Sequence, residues 1–392
     1  MVRYFLNHRS TIKISSSYLP LCPYSFTINS SYIVYDDPSY YIHHYPEFIC
    51  PQNFRNLADW VYGWPEDRFN EELECPISEK KKLTVPNLPH GSIIYVRVYN
   101  ISSFFSKIYP YLTYTFVLIT GEGDYSMPSR FHHYLEEPDS KIIHWFGQNG
   151  DIDAKRSERF THIPIGINCF EMAEGIRDVH RQYPKHILPS VRKNNLDEPC
   201  HYTQPLDVTQ SVLTNNIQLD KIVLINFYPN NDPTGVRKKL WKDLCKHRQS
   251  SFAICYDKPH GVNISSLPTI YRRNRQYPLW LSPRGGGLDC HRTWEALYLD
   301  IIPIVWHSTL DSLYTNLPII IIKNWSEVNE EFLRNKLHEI AMKKAQQPSV
   351  YQYEKLRNAY WREIIIKKSR YALNKKDIQR NRCWRAKTIR SE

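Results

Sequence analysis

Apolar residues in this chain come in short unbroken runs rather than in alternation, and helix-sized polar intervals separate the runs. The first clear run, residues 93–98, is β-branched and aromatic and therefore strand-forming. A second, residues 114–120, ends in Gly121, Glu122, Gly123 and Asp124. A third, residues 141–146, stops at Gly147, and a short fourth covers 162–166. After a polar stretch at 178–216 the pattern restarts at 221–227, with further runs at 252–255, 278–282, 301–305 and 317–322. Strands covered on both faces lose in–out alternation, so this texture predicts parallel sheets clad in helices. Helices are predicted at 234–247, 289–299, 326–346 and 350–373, with one more near 54–62.

The runs predict an α/β chain with two Rossmann-like domains. Residues 1–85 form an irregular lead-in packed on the N-terminal domain, 86–215 that domain, 216–346 the C-terminal domain, and 347–392 a C-terminal helix and basic tail. A length of 392 residues is enough for two separate cores. A composition 42% hydrophobic and 23% charged argues against bulk disorder. No eighteen apolar residues stand together, so no transmembrane helix is expected, and the first ten residues lack the apolar centre of a signal peptide. As written, the chain reads as soluble.

Charge changes the picture little. The formal net charge is +11, and residues 351–392 hold 13 Lys and Arg against 4 Asp and Glu, so +9 of it sits in the C-terminal segment. Such a tail can contact membrane headgroups, nucleic acid or acidic polymers, although a solvated helix with a frayed end is the plainer reading. A nucleic-acid enzyme more often carries its basic stripe on the folded core, so nucleic acid is disfavoured as a partner. The nine cysteines include no CxxC pair, which argues against zinc-ribbon and thioredoxin-type sites. Cys245 and Cys255 stand among apolar residues and read as core, while the spacing leaves disulfides open. Sequons at Asn29, Asn100, Asn263 and Asn324 point weakly to the secretory route.

The candidate chemistry lies at residues 282–297, a strand end, a glycine loop and a helix start. Gly285, Gly286 and Gly287 let the backbone turn sharply and come close to a ligand. The following helix start offers free N–H groups and a positive dipole end, which suit a diphosphate. Arg284 and Arg292 can add charge-assisted bonds. Glu295 shares a helix face with Arg292, one turn deeper, where a carboxylate can accept bonds from ribose hydroxyls. The plain alternative is a glycine-rich turn with a surface ion pair worth under ~1 kcal/mol.

This segment resembles the donor-binding motif of exostosin-type glycosyltransferases. The residues that carry the likeness are Ser282-Pro283-Arg284-Gly285, Asp289-Cys290-His291-Arg292, Thr293-Trp294-Glu295-Ala296-Leu297 and Ile302-Pro303-Ile304-Val305. Weaker similarity extends over residues 93–328, through Thr120-Gly121-Glu122-Gly123-Asp124, Trp145-Phe146-Gly147-Gln148-Asn149 and Ile163-Pro164-Ile165-Gly166. The resemblance implies a GT-B architecture, two domains facing a cleft. It also implies inverting, metal-independent transfer from a nucleotide sugar, a UDP-sugar by analogy, to a glycan or glycoprotein hydroxyl. Donor contacts would come from Arg284, Gly285, Gly286, Gly287, His291, Arg292 and Glu295, with Arg292 at the diphosphate and Glu295 at the ribose. No cofactor is implied, the nucleotide sugar being a co-substrate. Golgi or secretory residence follows by the same analogy, whereas the chain as written shows no anchor; membrane association stays open.

Inverting transfer needs a base for the acceptor hydroxyl. Asp124, and after it Glu122, are candidates because both follow a strand on the side where a doubly wound sheet opens. His144 and His162 read as packed or capping residues. Asp151-Ile152-Asp153 is a DxD triplet, which in a GT-A enzyme would hold a divalent metal. A non-catalytic nucleotide-sugar or glycan-binding protein with a degenerate transferase fold is the competing class.

Overall fold

The computed structural model describes residues 48–55, 57–63, 88–168, 171–182, 220–246, 250–256, 267–347 and 350–372. Most of the lead-in, most of the polar stretch, the sequons at Asn29 and Asn263, and the basic tail from 373 lie outside them. The fold is α/β, with two five-stranded sheets in which every neighbouring pair is parallel.

The first sheet is built of β1 (Trp60–Tyr62), β2 (Ser92–Arg97), β3 (Phe116–Gly121), β4 (Ile142–Gly147) and β5 (Phe160–His162). Its spatial order follows the chain, β1-β2-β3-β4-β5. The helix expected near 54–62 is instead α1 (Pro51–Arg55) followed by β1, which pairs with β2 through Val61 opposite Tyr95. Helices α2 (Ile101–Lys107) and α3 (His133–Glu136) connect the central strands. Right-handed crossovers that step in one direction place their helices on one face. That face holds Ile94, Val96, Phe116, Leu118 and Trp145 against Phe104, Phe105 and Ile108. The opposite face, with Ile93, Tyr95, Val117, Ile119 and Phe146, belongs to a different core.

The chain then forms α4 (Glu171–Gln182) and the second sheet, made of β6 (Val223–Ile225), β7 (Ala253–Cys255), β8 (Leu279–Leu281), β9 (Ile302–Trp306) and β10 (Ile320–Ile322). The strand order is β10-β9-β8-β6-β7, so β6 lies between the two strands that follow it. Its helices are α5 (Val236–Trp241), α6 (Leu267–Asn274), α7 (His291–Tyr298), α8 (Asp311–Tyr314) and α9 (Glu330–Gln346). Asn329 starts α9, its side chain accepting the Phe332 N–H at 2.9 Å. Cys245 and Cys255 are not core thiols as expected: they form a disulfide joining the π-helical turn after α5 to β7.

The final helix, α10 (Asn358–Lys368), returns to the first sheet. Its Trp361, Ile365 and Ile366 share one core with Val117, Ile119 and Phe146, and with Leu224 and Trp280 of the second sheet. The return is fastened by the Arg370 N–H to Gly91 O at 2.8 Å, by Arg370 and Tyr371 on Asp59, and by an antiparallel bridge of Phe48 to Arg357. One apolar core therefore runs between the two sheets. Among the described residues no helix is long and apolar enough to cross a membrane.

Candidate functional site

In a doubly wound sheet the connections leave in opposite directions on either side of the first strand. A crevice opens there, beyond the carboxyl ends. The second sheet has that reversal between β6 and β8. The loops leaving these two strands supply Asn226, Phe227 and Tyr228 on one side and residues 282–290 on the other.

Two guanidinium groups meet in this crevice. Arg237, near the start of α5, donates from Nε to Arg284 O at 2.7 Å and from Nη2 to Pro283 O at 3.1 Å and Cys290 Sγ at 3.3 Å. Arg292, in the first turn of α7, donates to Asn226 Oδ1 at 3.4 Å and Cys290 Sγ at 3.6 Å. Both guanidinium carbons lie 5.7 Å from the Phe227 ring centroid. The residues are only 4% and 7% exposed, and among the described residues neither side chain is bonded to a carboxylate. Burial pulls the Arg237 pKa below its ordinary value, and the nearby Arg292 charge adds to that pull. Cys290 and Asp232 oppose that pull. Two desolvated guanidiniums with no bonded carboxylate are costly, and a bound anion would offset that cost.

Glu295 lies one turn beyond Arg292, and its Oε2 accepts the Tyr271 hydroxyl at 3.0 Å. Tyr271 comes from α6 and is buried, so it fixes the carboxylate beside the arginines. Arg284 sits on the other flank of the loop, donating to Gly286 O at 3.4 Å. It lines a hollow of about 100 Å³ at the ends of β8 and β9, together with Ser282, Thr293, Trp306 and His307.

The glycines are required here for close approach and not for a left-handed turn. None of Gly285, Gly286 and Gly287 has a left-handed φ. What each would lose on gaining a side chain is close approach: a Cβ would strike Arg237 at Gly285, the Asp124 carboxylate at Gly286, and Asn149 at 2.8 Å at Gly287. Asp124 and Asn149 belong to the first sheet, so the loop is the seam between the lobes. Asn149 bridges it, donating to Gly123 O at 3.0 Å and accepting the Asp289 N–H at 2.8 Å. The Asp289 carboxylate accepts from the Ile165 N–H, the Cys290 N–H, Trp294 Nε1 and the Tyr314 hydroxyl. Burial nonetheless raises its pKa, the hydrogen bonds opposing the rise. His291 Nδ1 lies 2.7 Å from Gly166 O across the same seam, so one of its nitrogens is held there and not by a ligand.

The two candidate bases separate. The Glu122 side chain is 9% exposed and paired with Arg55 Nη1 at 3.0 Å, and its backbone is left-handed at φ 58°. Burial pushes its carboxyl pKa up, against the pull of Arg55. Asp124 is exposed, its carboxylate beside Gly286, and its N–H donates to the Tyr99 hydroxyl at 3.3 Å. His144 and His162 are both buried, His144 on Thr161 at 2.8 Å. Asp153 accepts the Lys155 N–H and closes a local turn, whereas Asp151 accepts the N–H of Ser129, 22 residues earlier, so the two carboxylates hold different backbone segments. Among the described residues no group of three His, Cys, Asp or Glu is placed to share a metal.

Arg237, Asn226 and Phe227 went unnoticed in the sequence. A signal existed for Arg237: it stands three residues before Leu240 on the inward face of α5, apart from the exposed Lys238 and Lys239. No family model matches this chain, and no curated protein matches it.

Proposed function

We propose that this protein is a glycosyltransferase of GT-B type, using a nucleotide sugar, by resemblance a UDP-sugar, and a hydroxyl acceptor. The observation that carries the reading is the pair of buried, carboxylate-free guanidiniums of Arg237 and Arg292 at the strand-order reversal of the second sheet. The donor diphosphate lies against Arg237, Arg292 and the start of α7, where fixed positive groups meet negative charge. Glu295, held by Tyr271, takes the ribose hydroxyls.

Transfer by inversion proceeds as the acceptor oxygen attacks the anomeric carbon and the bond to the diphosphate oxygen breaks. The acceptor proton passes to a carboxylate, and Asp124 is the one at the seam that no other side chain holds among the described residues. The charge that develops on the leaving diphosphate is met by the two guanidiniums, already in place before reaction.

Calorimetry with UDP tests the donor site. Loss of one charge-assisted contact is worth about 1.5–3 kcal/mol, so Arg292→Ala and Arg237→Ala should each weaken UDP binding about 10- to 100-fold. Glu295→Ala should weaken UDP while leaving inorganic diphosphate unaffected. Equal UDP affinity in wild type and both arginine variants removes the assignment. UDP binding without transfer to any acceptor would return the protein to the non-catalytic class.

A further inference from the structure

Five large apolar side chains among the described residues are exposed: Tyr99, Tyr111, Tyr114, Tyr125 and Tyr228. Tyr111 and Tyr114 precede β3, at the far end of the first sheet from the seam. Tyr99 and Tyr125 follow β2 and β3, on the same side as Asp124 and the glycine loop. They stand 45% and 57% exposed and meet edge to face, with ring centroids 4.8 Å apart.

This pair is braced. The Tyr99 ring lies so close over Gly123 that a Cβ there would strike it at 2.7 Å. Its hydroxyl accepts the Asp124 N–H at 3.3 Å, and the Arg97 guanidinium sits 5.1 Å from its centroid. Arg97 in turn donates to Glu122 O at 3.5 Å. An exposed aromatic group held this way has already lost the freedom that binding would otherwise take from it. Solvent gains nothing from two fixed apolar faces, and such faces mark binding surfaces.

We propose that Tyr99, Tyr125 and Asp124 form an acceptor subsite for a neutral pyranose. The proposal rests on the transferase reading and assigns its acceptor class. A pyranose with axial C–H groups has one flat apolar face that stacks on an aromatic ring and a rim of hydroxyls that donate to a carboxylate. The platform offers one aromatic edge, one exposed ring and one carboxylate with no partner of its own among the described residues. Asp124 would repel a phosphate or uronate, and the Arg97 charge is met by the Glu122 carboxylate, which favours an uncharged ring. The position also fits transfer, because Asp124 touches the glycine loop that leads into α7 and its Arg292.

Saturation-transfer NMR on the full chain tests this, with cellobiose, lactose, xylobiose and N,N′-diacetylchitobiose as separate probes and uridine as control. At least one disaccharide should show transfer concentrated on the C–H protons of one ring face. Tyr125→Ala should reduce that signal at least tenfold, Tyr125→Phe should keep it, and Asp124→Asn should weaken it. Tyr125 is more than half exposed, so its loss does not threaten the fold. The proposal is overturned if no disaccharide shows transfer, if Tyr125→Ala keeps it, or if uridine alone gives the Tyr125-dependent signal. UDP affinity measured on the same samples scores the donor site separately. Disaccharide binding that depends on Tyr125 in a protein that ignores UDP would keep the subsite and sink the transferase.

Discussion

Two sheets of five parallel strands do different work in this molecule, and strand order explains the division. The first runs in chain order, so among its described strands no crevice of the doubly wound kind opens at its carboxyl ends. It contributes a flat edge with Asp124, Tyr99 and Tyr125, and it spends Glu122 on Arg55. The second reverses direction around β6, and Arg237, Arg292 and Glu295 converge at that reversal. Equal secondary structure thus gives a cluster of buried arginines in one lobe and an open shelf in the other. The same rule of order governs cladding, because a sheet stepping one way leaves a face bare. Here α10 covers it from the far end of the chain.

Three experiments break or sharpen this contrast. Trp361 of α10 is buried, and its Nε1 donates to Lys355 O at 2.8 Å. Trp361→Ala should cost about 3–5 kcal/mol, read as a lower urea midpoint. Because one core joins the sheets, calorimetry should show a single transition moving down. A second transition left in place would mean that the lobes unfold independently.

The pH dependence of the first sheet is the next largest. Burial, with the charges of Lys368 and Arg159, lowers the His144 pKa to about 4. Its unfolded value is about 6.5, so between the two the unfolded chain binds more protons. His144 therefore stabilises nothing extra above that window and costs stability as pH falls through it, by about 2 kcal/mol between pH 7 and pH 5. Urea unfolding at both pH values should show a shallower loss in His144→Gln than in wild type, and equal losses would refute the role.

The smallest effects concern the seam. Gly287→Ala meets buried Asn149, which is bonded on both sides and cannot yield, and should cost about 1 kcal/mol or more. Gly286→Ala meets only the exposed Asp124, which can swing aside, and should cost less than that. Thermal midpoints in the opposite order would place the rigid contact at Gly286.

Much of this frame was legible in the sequence, because long apolar runs keep their identity wherever they pack. The runs of β2, β3, β4 and β9 lie within a residue or two of their predicted bounds. Trp60-Val61-Tyr62 was read as helix because three residues carry no period, and only pairing with β2 makes them a strand. Arg237, Lys238 and Lys239 stand together near a helix start and look alike in the sequence, and that only Arg237 is buried is a tertiary property. Cys245 and Cys255 are ten residues apart, and whether such a pair bonds depends on how the turn after α5 closes. The glycine triplet reads in the sequence as a sharp turn that brings backbone close to a ligand, and in the structure Gly286 and Gly287 also answer to side chains from the other lobe. No local pattern contains that partner.

The fastening of α10 onto the first sheet sets the timetable of biosynthesis. The lobe translated first emerges from the ribosome with α1 against β3, but Phe146 on β4 lacks the cover of Trp361, Ile365 and Ile366 until residues 358–368 follow. The earliest-made half is thus the last to be finished, and during elongation it exposes part of its apolar face.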